Sequence, residues 1–224
     1  MQKRFSIAID GPAGAGKSTV ARALAKALGA MYLDTGAMYR AFGLAMLRAG
    51  VDPADVSAVA THADDVDVSV EYRDGAQRIL LAGEDVPEAI RRPDVSDAAS
   101  AISVAPEVRE RMVALQRRIA AGQNVVMDGR DIGTVVLPDA TLKIYLTASV
   151  EERARRRCEE LARKGTPQPY EKVVREIGER DYRDTHREAS PLRIATDAHI
   201  VDTTDMSLDE VVEAIGQMAR SAIG

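Results

Sequence analysis

An α/β fold on a largely parallel sheet is the architecture this chain predicts, on three observations. Short β-prone runs alternate with longer helical runs along nearly the whole length. The first β-prone run (Phe5, Ile7, Ile9) passes directly into a glycine-rich stretch, Gly11-Pro12-Ala13-Gly14-Ala15-Gly16-Lys17-Ser18. A strong helix former leaves that stretch at Thr19 and stops at Gly29, a good C-cap.

Taken in order, the core strands are expected at residues 4–10, 30–33, 124–128, 142–146 and 199–202. The helices are expected at residues 17–28, 38–49, 106–121, 150–164, 170–187 and 208–222. Thr35-Gly36-Ala37 reads as a turn that opens the second helix, and Gly122 as the C-cap of the third. Val125-Val126-Met127 carries the third strand. Ser149 with Glu152, and Ser207 with Glu210, read as capping boxes at two later helix starts.

One segment, residues 62–92, breaks the alternation. Val66-Asp67-Val68-Ser69-Val70-Glu71-Tyr72 alternates with period two, and Arg73-Asp74-Gly75 is turn chemistry. Residues 77–81 and Gly83-Glu84-Asp85-Val86 follow as a second and a third short strand. An antiparallel hairpin cannot easily join a parallel sheet. It is expected as a small inserted subdomain within a single domain of residues 1–224, either decoration or a shape for the substrate side.

Composition removes several function classes. Net charge is -5 and aromatics are 4% with no Trp, against a nucleic-acid groove or a base-stacking platform. No stretch reaches membrane-span length, and the apolar run behind Met1-Gln2-Lys3-Arg4 is too short for a signal peptide. Cys158 is the sole cysteine, so no internal disulfide forms. A cytoplasmic monomer with no nucleic-acid or membrane partner is the expectation.

Residues 11–18 fit G-x-x-x-x-G-K-[ST], the phosphate-binding loop, in the strand–loop–helix context the pattern requires. Gly11, Pro12, Ala13, Gly14, Ala15, Gly16, Lys17, Ser18 and Thr19 are the expected cradle of a nucleoside triphosphate. Inward-turned backbone N–H groups and the helix N-terminus favour the anion. Lys17 can reach the outer phosphates, and the Ser18 hydroxyl can take a Mg2+ position. Asp128 ends a strand where such proteins keep an acid near Mg2+, and Asp10 is read as structural.

Other polar residues fall into patterns. Arg40 follows a turn that opens a helix, which offers donors to a phosphate. Arg180, Asp184 and Arg187 stand at i, i+4, i+7, one helical face. Such a face holds a phosphate and a ribose hydroxyl, or is a surface ion-pair ladder. Residues 151–187 hold eleven Lys/Arg against nine Asp/Glu, with Arg153, Arg155, Arg156 and Arg157 clustered. Those arginines either contact a transferring phosphoryl group or pair along the helix with Glu151, Glu152, Glu159 and Glu160. His62, His186 and His199 form no triad or metal pattern.

Three further stretches complete the series. They are Leu33-Asp34-Thr35-Gly36-Ala37-Met38-Tyr39-Arg40, Val125-Val126-Met127-Asp128-Gly129-Arg130-Asp131-Ile132-Gly133-Thr134, and Arg180-Asp181-Tyr182-Arg183-Asp184 running on to Arg187 and Ser190-Pro191-Leu192. With the phosphate loop they strongly resemble the bacterial cytidylate kinases, a family of nucleoside monophosphate kinases, over residues 7–202.

The resemblance implies a P-loop kinase fold: a five-stranded parallel sheet flanked by helices, a small antiparallel β insert and a helical lid at residues 150–187. It implies transfer of the ATP γ-phosphoryl group to CMP or dCMP, giving ADP and CDP or dCDP in pyrimidine nucleotide metabolism, with Mg2+. Lys17, Arg130, Arg156, Arg157 and Arg180 become the catalytic cations, with Arg155 in the same lid group. Thr35, Arg40, Ser100, Arg109, Asp131, Arg180, Asp184 and Arg187 become acceptor-binding, and Ser18 and Asp128 metal-binding. Ser100, Arg109 and Asp131 match the base-reading set, Asp184 the sugar contact, and Asp202-Thr203-Thr204-Asp205 the adenine loop.

A UMP/CMP-type kinase of broader base specificity and a small-metabolite kinase are the alternatives. The second should lack the Ser-Arg-Asp set and the insert. A GTPase switch would need an Asn-Lys-x-Asp motif, which is absent, and a nucleic-acid motor a basic groove.

Overall fold

The computed structural model describes residues 4–73 and 75–224. Met1, Gln2 and Lys3 of the basic start, and Asp74 of the expected hairpin turn, lie outside the described residues. In chain order the elements are β1 (Ser6–Asp10), α1 (Lys17–Leu28), β2 (Met31–Asp34), α2 (Thr35–Arg48), α3 (Val56–His62), β3 (Val68–Arg73), β4 (Ala76–Leu81), β5 (Glu84–Asp85), α4 (Pro93–Ile102) and α5 (Pro106–Ala120). They continue with β6 (Val125–Gly129), a π turn (Ile132–Val136), β7 (Leu142–Thr147), α6 (Val150–Arg163), α7 (Tyr170–His186), β8 (His199–Asp202) and α8 (Leu208–Ile223).

The main sheet is parallel with strand order β2-β6-β1-β7-β8, the five strands read from the sequence. Ser6 pairs with Val125, Ile7 with Leu142, and Ile144 with His199. A second sheet is antiparallel, β3-β4-β5, and is the expected insert. Its β3–β4 register runs from Val68↔Leu81 to Arg73↔Ala76. Ala82 and Gly83, both at positive φ, make the tight turn into β5.

The chain divides into two compact units, one running up to Ala30 and resuming at Asn124–Gly224, the other Met31–Gln123. In the first, Ile7, Ile9, Leu24, Met127, Ile144 and Leu146 are fully buried. In the second, Leu33, Met38, Phe42, Met46 and Ile102 are. Each such side chain contributes about 1.5–3 kcal/mol of transfer free energy. Gly43 lets α2 and α4 touch: a Cβ there would stand 2.9 Å from the Ala99 nitrogen.

Several local expectations need correction. α2 starts at Thr35, three residues early, because the Asp34 carboxylate caps it by accepting from Ala37 N at 2.7 Å. Gly122 is not a left-handed cap; Ala121, in right-handed conformation, ends α5. Ser149 caps α6 by accepting from Glu152 N at 3.1 Å, but the Glu152 carboxylate turns to Arg155 and Arg156 instead of closing a box. The box at Ser207 and Glu210 is complete. Helices α3 and α4 were not foreseen.

Candidate active site

The phosphate loop leaves β1 with Gly11 at φ +150°, so close to β7 that a Cβ would sit 1.9 Å from the Leu146 carbonyl oxygen. Only glycine fits there. Gly14 and Gly16 also take positive φ, and Gly16 sits at the N-cap of α1. Thr19 is in the first turn of α1, its N–H bonded to the Gly16 carbonyl. The loop therefore ends on a helix N-terminus, a ready anion site.

Lys17 is buried and donates to the Pro12 carbonyl at 2.7 Å. Burial, then the Arg130 guanidinium, push its ammonium well below the usual lysine range, against Asp128 and Asp184. Ser18 Oγ donates to Asp128 Oδ2 at 2.7 Å, joining the loop's last residue to β6. Asp10 accepts from Ile132 N at 2.8 Å and Gly133 N at 2.7 Å. Burial pushes its carboxyl up to about 6 despite those two bonds. Those two bonds tie the end of β1 to the π turn.

Beyond β6 the first unit gathers five of the expected groups. Arg130 Nε donates to Asp184 Oδ2 at 2.6 Å. Burial works to raise the Asp184 carboxyl, but Arg130, Arg180 and Arg187 outweigh it and hold it below its usual range. Arg187 Nη2 lies 4.0 Å from Asp131 Oδ1, and its Nε donates to the Ser190 carbonyl at 2.8 Å. So Asp184 and Arg187 are buried and Arg180 half-buried, which is not the exposure of a solvated ladder.

The lid arginines have separate fates. Arg155 pairs with Glu152 and Glu159, and Arg157 with Glu160 at 2.8 Å, both along the helix. Arg156 bonds Glu152 at 2.7 Å and the Thr203 carbonyl at 2.7 Å. Its Nη1 is also the atom nearest the space above Gly16, 4.0 Å from a Cβ built there. Of the three, Arg156 is thus beside the phosphate loop. Arg153, part of the same sequence cluster but given no catalytic role, bonds Asp181 and the loop residue Ala13. Asp181 stands in the quoted motif but was given no role; that motif was the only signal for it.

In the second unit, Asp34 Oδ2 pairs with Arg40 Nη2 at 3.2 Å, and Arg40 lies over Gly36. Thr35 is buried beside them. Ser100 and Arg109 come together through Ser103, whose hydroxyl donates to the Ser100 carbonyl at 2.8 Å and whose carbonyl accepts from Arg109 Nη1 at 3.2 Å. The Arg109 guanidinium carbon lies 5.7 Å from the Tyr39 ring centre, a cation–π contact the sequence reading missed. The insert reaches this region too, with Tyr72 OH donating to the Tyr32 carbonyl at 2.8 Å.

A family model described as Cytidylate kinase matches residues 7–221. A cytidylate kinase from Caldanaerobacter subterraneus subsp. tengcongensis is 55% identical over 214 residues, 96% of this chain and 94% of that protein. One from Geobacillus kaustophilus is 50% identical over 224 residues, 100% of both. A gluconokinase structure from Sinorhizobium meliloti has the same fold, with TM-score 0.50 at 19% identity over 98% of this chain and 95% of that one. A nearly end-to-end family match, with half or more of all residues identical to each of these two relatives, has one conclusion: the chain belongs to the cytidylate kinase family.

Proposed function

We propose that the protein transfers the γ-phosphoryl group of ATP to CMP or dCMP, giving ADP and CDP or dCDP. Family membership supports the reaction. The Ser18–Asp128 hydrogen bond at 2.7 Å beneath the loop is the observation that carries the donor half. The acceptor half is assigned to Thr35, Arg40, Ser100, Arg109, Asp131, Arg180, Asp184 and Arg187, following the family motifs. A cytoplasmic monomer goes with this reading. Among the described residues no helix is long and apolar enough to cross a membrane.

The acceptor is already an oxyanion, so no general base is needed; the chemistry asks for converging cations. Lys17, Arg130 and Arg180 supply them, with Asp184 fixing Arg130. An arriving phosphate favours the charged form of Lys17 that burial and Arg130 disfavour, so Lys17 responds to phosphate more than an exposed lysine would. Arg156 and Arg157 are assigned to the lid side.

A hydroxyl and a carboxylate in contact are an oxygen donor set of the kind Mg2+ accepts beside substrate phosphates, so Ser18 and Asp128 fit as its holders. Bound there, Mg2+ supplies charge neutralisation on the phosphates. Asp131 is assigned to the exocyclic amino group of cytosine, with Ser100 and Arg109 on the ring acceptors. Uracil would oppose two acceptors, which costs about 1–3 kcal/mol.

The test is ADP release from ATP with CMP, dCMP, UMP and AMP in turn. CMP and dCMP are expected to exceed UMP by roughly ten- to a hundredfold in kcat/KM. UMP or AMP outpacing CMP overturns the assignment.

A further inference from the structure

We infer that Arg153 and Asp181 are positioning residues for the donor nucleotide, forming a clamp that sets the shape of the phosphate loop from outside. The inference rests on the donor role of the loop and is independent of which acceptor is used.

Arg153 is only 4% exposed. Its Nη1 donates to the Ala13 carbonyl at 3.0 Å and to Asp181 Oδ2 at 2.6 Å, and its Nε to the Ala148 carbonyl at 3.0 Å. The other Asp181 oxygen, Oδ1, accepts from Ala13 N at 3.3 Å. One ion pair therefore holds both backbone groups of a single loop residue. Its base comes from α6 and its acid from α7, helices joined by Ala154, Val173 and Ile177. The Arg153 stem also lies against the next residue, 3.3 Å from where a Gly14 Cβ would be.

This loop needs such a device. Its three glycines at positive φ give it freedom that must be given up when backbone N–H groups turn in around a phosphate. A clamp at Ala13 removes part of that freedom before the ligand arrives. It also commits one donor: with its N–H on Asp181, Ala13 is turned away from the phosphate, which leaves later loop residues to make the backbone contacts. Charge-assisted bonds of this type are among the stronger ones, and losing one member leaves its partner charged and largely buried.

The test measures ATP dissociation constants by calorimetry without acceptor, and KM for ATP and for CMP, in Asp181→Asn and Arg153→Lys. The amide cannot accept from both the guanidinium and Ala13 N. ATP is expected to bind roughly tenfold more weakly in Asp181→Asn while the KM for CMP moves less than about twofold. Arg153→Lys keeps the charge but donates from a single nitrogen, which cannot hold Ala148 and the Ala13–Asp181 pair together, and is expected to fall between parent and Asp181→Asn. The double variant should lose no more donor affinity than Asp181→Asn alone. ATP affinity within about twofold of the parent overturns the clamp, and so does equal weakening of both nucleotides or independent, multiplying losses. Either single variant recovered folded, by its circular dichroism and melting curve, is sufficient to decide. Failure of the donor reading itself has a different signature, an ATP affinity indifferent to Lys17→Ala.

Discussion

Gln77, on the second strand of the insert, brackets the Asp34 peptide: its Oε1 accepts from Asp34 N at 2.7 Å and its Nε2 donates to the Asp34 carbonyl at 3.3 Å. A side-chain amide here mimics the pairing of a neighbouring strand. Asp34 in turn caps α2 and pairs with Arg40. The insert therefore braces the residue that orients Arg40. Gln77→Ala is expected to raise the KM for CMP severalfold with little change for ATP, from about 1–2 kcal/mol of lost bonding. Gln77→Glu should do no better, since a carboxylate cannot donate to the Asp34 carbonyl. Steady-state kinetics against each substrate checks both.

Asp10 makes stability depend on pH in an unusual direction. Its folded-state pKa is raised to about 6, so the folded protein holds this proton where the unfolded chain has released it. Stability from this residue is therefore greatest below its ordinary pKa near 3.8 and falls as pH rises through 6. Denaturant unfolding of parent and Asp10→Asn isolates the effect. The stability of the parent relative to Asp10→Asn should fall between about pH 4 and pH 7, and a relative stability that rises over that range would refute the assignment.

Ser18 and Asp128 should fail together. Ser18→Ala removes both the bond to Asp128 and the hydroxyl assigned to Mg2+, and kcat/KM is expected to drop on the order of a hundredfold. A Mg2+ titration should reach half-activity at a higher concentration in Ser18→Ala and in Asp128→Asn. If the requirement for Mg2+ is unchanged, neither residue holds it.

Two glycine substitutions should move stability in opposite directions. Gly43→Ala forces a Cβ to within 2.9 Å of the Ala99 nitrogen. Overpacking of about 1–3 kcal/mol exceeds the gain of about 1 kcal/mol in helix propensity. Gly178 lies exposed inside α7 with nothing within 4 Å of a built Cβ. Gly178→Ala should gain about 0.5–1 kcal/mol. Melting curves of the two variants give the comparison.

What the sequence made legible was local. The five core strands, α1 and the phosphate loop follow from alternation, a glycine stop and a contiguous motif, each readable within a dozen residues. α4 escaped because Ala98, Ala99 and Ser100 give it no stripe of large apolar residues, and it is held by close approach at Gly43. The π turn escaped because its N–H groups answer to Asp10, 122 and 123 residues away. Arg153 had acidic neighbours in plain view, yet it chose Asp181, which only the packing of α6 on α7 brings near. Ser100 and Arg109 were carried by likeness to a family; the bridge through Ser103 had no sequence signal.

The glycine at position 11 has a mechanical consequence. Its backbone rests on the Leu146 carbonyl, and two residues further along the same strand end, the Ala148 carbonyl holds Arg153. The base of α6 is thus built into the same masonry as the phosphate loop and cannot swing away from it. The α6–α7 pair is thus tied down at its phosphate end, and the left-handed Gly165 marks the turn at the opposite end, between the two helices.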